Sequence, residues 1–255
     1  MRTGRLAVTG VALTALALGA TGCASSAAGP ATPGDAVATS ATADARDELV
    51  AAANKLATDT VKVTMGMSGG LSVAGVMNPQ GGRAEMTMDI NAGAKKVTID
   101  MVVANPDLYL KINGIPSMPA KWLHIDSSKI KTGGSLDVMP QNDPVGAQRM
   151  VNGLVDVQRV AEHSYKGTFD MTKSPTANQA ALGKLGDKVK TVPFTATTDA
   201  QGRLTEMNVD LSAVQPGLQP LRTTYSDFGA PVNVDKPPAD QTMEAPQQVL
   251  DLFNV

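Results

Sequence analysis

Between positions 61 and 125, apolar side chains return at every second residue, and Gly, Asn or Pro interrupts each run before it grows long. Val61, Val63, Met65 and Met67 form one series; Met86, Met88 and Ile90 a second; Val97, Ile99, Met101 and Val103 a third. A period of two belongs to a β-strand with one buried face, because successive side chains point to opposite sides of the pleat. Short runs of this kind, separated by Gly69-Gly70 and Asn91-Ala92-Gly93, predict an antiparallel meander with one apolar and one polar face.

"DLYLKI" (107–112) and "KWLHI" (121–125) extend the meander. Later strands are expected at 163–170, 189–198, 204–211 and 221–228, with a hairpin turn at 199–203. Helices are expected at 44–58, 145–154 and 176–185. In the first, Leu49, Ala52, Ala53 and Leu56 recur at helical spacing and Asp44 is suited to the cap. In the second, Asp143-Pro144 suits the first turn. The terminal "QQVLDLFNV" reads as a short helix or a docked tail. Helix, strand meander, helical insertion and further strands together predict an α+β fold with a mainly antiparallel sheet.

The N-terminus carries a different kind of signal. Arg2 and Arg5 precede an apolar run at 6–20 that is short for a bilayer span and resembles a secretory signal. It ends in Ala20-Thr21-Gly22-Cys23, which resembles the lipobox of bacterial lipoproteins. The resemblance implies that residues 1–22 are removed and that the Cys23 thiol carries a diacylglyceryl group. The chain would then be lipid-anchored on the extracytoplasmic face of the cell membrane. Cys23 is the single cysteine, so no intrachain disulfide can form, and lipidation gives this lone thiol a role. Residues 24–43 are mostly Ala, Ser, Thr, Pro and Gly. Together with Cys23 they are expected to form a lipidated, disordered tether (23–43) with a reach of about 25 Å. Residues 44–255 remain as a single α+β domain.

Several function classes are disfavoured. The net charge is −2, and the loss of Arg2 and Arg5 makes the exported part more acidic, so nucleic acid is not an expected partner. The chain has two histidines. His124 alternates with Leu123 and Ile125 and is expected on the face of Trp122, away from the apolar side; His163 opens a strand. Neither spacing suggests a metal site, and no cofactor is expected. There is no G-x-S-x-G elbow and no Walker loop, and "TGGSLD" (132–137) reads as a plain loop. No catalytic residue is assigned, and the chain is expected not to be an enzyme.

The methionines pose the sharper question. There are thirteen, against one Trp, three Tyr and four Phe. Unbranched Met repacks at low cost, so a Met-rich face is either a soft core or a surface for something of variable shape. In the second case the lining candidates are Val63, Met65, Met67, Met86, Met88, Ile90, Ile99, Met101, Leu108 and Leu110, with residues 127–144 as a lid. A register slip of one residue would reverse them all.

Two stretches carry a family resemblance: "TTYSDFGAPVNVDKPPAD" (223–240) and "DLYLKINGIPSMPAKWLHIDSSKI" (107–130). Together with the lipobox, tether, first helix and meander in this order, they resemble the LppX/LprA/LprF/LprG lipoproteins of actinobacteria and the wider LolA/LolB-like carriers. The resemblance implies a strongly curved antiparallel half-barrel, helices over its concave face and an apolar cavity between them. It also implies an acylated lipid or lipoglycan as ligand, bound and transferred in the cell envelope by a monomer, with an envelope transporter as a candidate partner. It brings no catalytic residues. The competing reading is a tethered protein-interaction module with a solid core and no lipid cargo.

Overall fold

The computed structural model describes residues 34–93, 95–130, 136–137, 139–140, 143–173 and 182–252. The expected signal segment, Cys23 and residues 24–33 lie outside the described residues.

The first helix, α1 (Gly34–Lys55), starts well before Asp44 and takes in the second half of the expected tether. Its early part contains Ala36, Ala38, Ala41 and Ala43, and alanine is the strongest helix former; small-residue composition alone does not separate such a stretch from a linker. Asp44 is therefore inside the helix and not its cap. Ala45, Leu49, Ala52, Ala53 and Leu56 make one buried stripe, as their spacing predicts. Most of the stripe joins the main core with Leu110, Leu123, Ile125 and Leu204, and each leucine so buried contributes about 1.5–3 kcal/mol.

Among the described residues, twelve strands form one unclosed, curved, mostly antiparallel sheet, and the fold is α+β. The first meander is β1 (Val61–Met67), β2 (Leu71–Asn78), β3 (Arg83–Ala92), β4 (Lys95–Ala104), β5 (Asp107–Asn113) and β6 (Trp122–Asp126). After the short helix α2 (Ala147–Gly153), a second meander contains β7 (Leu154–Ala161), β8 (Ser164–Phe169), β9 (Val192–Thr198), β10 (Leu204–Val209) and β11 (Leu221–Ser226). The two meanders join where β1 pairs with β11. The far edges are β7 and β12 (Thr242–Glu244), and β12 lies parallel to β6. The chain ends its described part in α3 (Gln247–Leu252), whose Val249 is buried.

Several local expectations shift. β7 has no clean period of two, because Val155 and Val160 are more than half exposed while Val157 is fully buried, so no strand was expected there. α2 begins after Gly146, whose left-handed backbone (φ +71°) sets the entry. The Asp143 carboxylate accepts from the Gln148 and Arg149 amides at 3.0 and 3.1 Å. Val189 sits in a short 3-10 turn (Gly186–Lys190) ahead of β9. Most of the helix expected at 176–185, and part of the 127–144 lid, lie outside the described residues. Within that lid, Leu136 and Met139 are buried in the main core.

The second sheet face is not bare. Residues after β11 run back across it, and Val232 and Val234 pack on Val76, Val102, Tyr109 and Trp122. Arg83 fastens this segment by donating from Nη1 to the Val234 carbonyl at 2.7 Å.

Candidate functional site: an apolar cavity over the methionine strands

Residues directly opposite in a ladder share a face, so the register sorts the apolar side chains into rows across the sheet. One row runs Tyr225, Val63, Gly75, Met86, Met101, Leu110, Leu123. The next runs Thr223, Met65, Val73, Met88, Ile99, Ile112. A third runs Val61, Met77, Ala84, Val103, Leu108, Ile125. On β5 and β6 these rows end in packed core. On β1 to β4 and β11 the first two rows border open space, joined by Val61 and Met77 of the third.

That space is a cavity of about 300 Å³. Its sheet wall is Val61, Val63, Met65, Val73, Gly75, Met77, Met86, Met88, Ile99 and Met101, with Thr223 and Tyr225 from β11. Leu56, Val145 and Arg149 complete the lining from outside the sheet. The volume is at the lower end of the roughly 300–1,000 Å³ of small-molecule pockets. Gly75 leaves a gap in this wall. A Cβ there would meet the Glu85 carbonyl oxygen at 2.3 Å and the Met86 Cγ at 2.5 Å, so the missing side chain lets Met86 lie across the strand.

Three polar side chains interrupt the apolar lining. Arg149 is the one charged residue among the described lining residues; its Nε lies 3.3 Å from the Asp143 carboxylate. That pairing leaves the terminal guanidinium nitrogens with no hydrogen bond to a described residue. Tyr225 and Thr223 stand two apart on β11 and so share a face. Neither hydroxyl has a hydrogen-bond partner among the described residues, and burial pushes the Tyr225 phenol up to about 12.

Of the ten sequence candidates, Val63, Met65, Met86, Met88, Ile99 and Met101 line the cavity. Leu108 and Leu110 share the face but are buried in the solid core at the far end of their rows. Met67 and Ile90 lie in the row Met67, Leu71, Ile90, Val97, half-buried and outside the described lining. Sequence reasoning missed Gly75, Met77, Arg149, Thr223 and Tyr225. For Gly75 the signal was present, since an isolated Gly in a strand pattern marks a close approach. For Tyr225 it was the alternation of Leu221, Thr223 and Tyr225.

Both histidines have hydrogen-bonding partners. His124 does lie on the Trp122 face, but its Nε2 is 2.8 Å from the Asp107 carboxylate and its Nδ1 2.7 Å from Glu244. The hydrogen bond to Asp107, reinforced by Glu244, raises its pKa. His163 occupies the β7–β8 turn with φ 59° and lies 3.3 Å from the Thr198 hydroxyl. It borders a polar cleft in which Glu48 of α1 accepts from the Tyr165 hydroxyl at 2.8 Å and from Arg159. The tyrosine hydroxyl, then the guanidinium, hold the Glu48 carboxyl below its ordinary value. The cluster ties α1 to β7 and β8.

Among the described residues, no three His, Cys, Asp or Glu side chains are placed to hold a metal ion. None of the described helices is long and apolar enough to cross a membrane. No protein-family model matches this chain, and no curated protein matches it.

Proposed function

We propose that this chain is a cell-envelope lipoprotein that binds acylated lipids or lipoglycans in its apolar cavity and transfers them between envelope sites. The observation that carries the reading is the cavity wall: five methionines, with Val, Ile and a glycine, facing open space where a solid core would be filled. Acyl chains have no fixed polar groups and vary in length and bend, and Met side chains adapt to such shapes at low cost. Burial then supplies affinity at roughly 0.8 kcal/mol per methylene.

In this reading the curved sheet is a half-barrel, and α1 and α2 cover its concave side. Cys23 carries the membrane anchor ahead of the domain. The relationship to the LppX/LprA/LprF/LprG lipoproteins is part of the same proposal and rests on the two motif stretches and the lipobox.

The test is native mass spectrometry of the chain purified from an actinobacterial host. Discrete added masses that resolve into acylated lipids are expected, and organic solvent should strip them. A bare mass that takes up no added diacyl or triacyl lipid would make the protein an interaction module with a soft core. Replacing Cys23 with Ala should move the protein from the membrane to the soluble fraction.

A further inference from the structure

We infer that the cavity selects amphiphiles with an anionic head, a phosphate or a carboxylate, held by Arg149 and the Tyr225 hydroxyl while the chain lies over the methionines. The inference rests on the lipid-binding reading of the same cavity and adds the class of headgroup.

The argument begins with the cost of the arrangement. A guanidinium in an apolar lining loses hydration and needs compensation. Asp143 supplies part of it, but only on the Nε side, and the same carboxylate is already engaged by two backbone amides. The guanidinium folds back over Gly146, where a Cβ would stand 3.2 Å from its Nη2. Its terminal nitrogens form a planar donor pair without a protein acceptor among the described residues, and such a fork fits the two oxygens of a carboxylate or phosphate.

The second observation is independent of Arg149. Tyr225 and Thr223, on a different element, line the same cavity, and neither hydroxyl has a hydrogen-bond partner among the described residues. The terminal nitrogens of Arg149 and these two half-buried hydroxyls lack an acceptor among the described residues and border a single space, and all else in its described lining is apolar. An uncharged hydrocarbon would leave every one of them unpaired. An anion in this cavity offers acceptors to the Arg149 fork and to the Tyr225 hydroxyl.

The test uses three ligands that share one dodecyl chain: laurate, dodecyl phosphate and 1-dodecanol. Affinity for the full chain is read from displacement of the neutral probe N-phenyl-1-naphthylamine. The two anions should bind at least about tenfold more tightly than the alcohol, as charge-assisted hydrogen bonds in a shielded site allow. Arg149→Gln should remove that preference, so that on this variant the two anions and the alcohol bind within about twofold of one another. Tyr225→Phe, which deletes one oxygen, should weaken anion binding several-fold with the fold intact, so the inference does not depend on the Arg149 variant alone. The tighter of laurate and dodecyl phosphate identifies the head as carboxylate or phosphate. Equal affinity for all three ligands, or an anion preference that survives both substitutions, overturns the headgroup inference and leaves the lipid cavity standing. No displacement by any of the three overturns both.

Discussion

Gly75 and Met86 face each other across the β2–β3 ladder, and a Cβ on Gly75 would stand 2.5 Å from the Met86 Cγ. The same Cβ would press on backbone, 2.9 Å from the Met86 Cα, so a flexible side chain cannot relieve the contact alone. Gly75→Val should therefore cost about 1–3 kcal/mol through overpacking. A thermal melt would register this as a lowered midpoint, and an unchanged midpoint would mean that Met86 has room elsewhere.

Leu110 and Met88 lie on one sheet face but at opposite ends of the packing. Leu110 is 0% exposed in the core, whereas Met88 borders the cavity. Leu110→Ala should cost about 2–5 kcal/mol, and Met88→Ala, which enlarges an existing space, about 1 kcal/mol. Urea unfolding midpoints measure the contrast. Equal losses would mean that the rows are packed alike along their whole length.

Met86 and Met101 are directly paired and both line the cavity. Exchanging both for Trp should fill it. The lipid-laden fraction in native mass spectra should fall sharply while circular dichroism stays native. Full loading in an intact double variant would take these two residues out of the cargo path.

His124 gives the C-terminal strand a pH dependence of known sign. Its folded pKa is raised above the ordinary 6.5 by the hydrogen bond to Asp107, then by Glu244, so its contribution is fully present below 6.5 and is lost as pH rises through the folded value. Asp107 is held below its ordinary 3.8 by Lys236 and then by His124, so its contribution is present above 3.8 and is lost as pH falls through the folded value. The stability difference between wild type and His124→Gln should be largest between about pH 4 and 6.5 and should shrink on the alkaline side. Thermal midpoints across that range decide it; a difference that grows above pH 7 would reverse the assigned sign.

The first meander was readable because each of its strands buries one face, which imposes a period of two on Met65, Met86 or Ile99 whatever the distant contacts. Position along a row leaves no such trace. Leu108 and Leu110 have the same period as Met86 and Met101, and nothing in that period tells that one end of a row is packed in the core while the other borders open space. β7 was hidden because an edge strand tolerates Val155 and Val160 in solvent. Arg149 and Tyr225 reach the methionines only through pairings far along the chain, such as Val63 with Tyr225, and no local pattern announces those. The start of α1 was lost because alanine serves linkers and helices equally well.

The seam between β1 and β11 has a consequence for how the protein is made. Thr64 and Thr224 meet across it, although they are 160 positions apart in the chain. Contacts so distant in sequence form slowly, and synthesis delivers the N-terminal strands first. A nascent chain thus displays Met65, Met86 and Met101 well before Thr223 and Tyr225 exist to border them. For that interval the future cavity wall is exposed apolar surface, open to aggregation or to any chaperone that holds unfolded apolar strands.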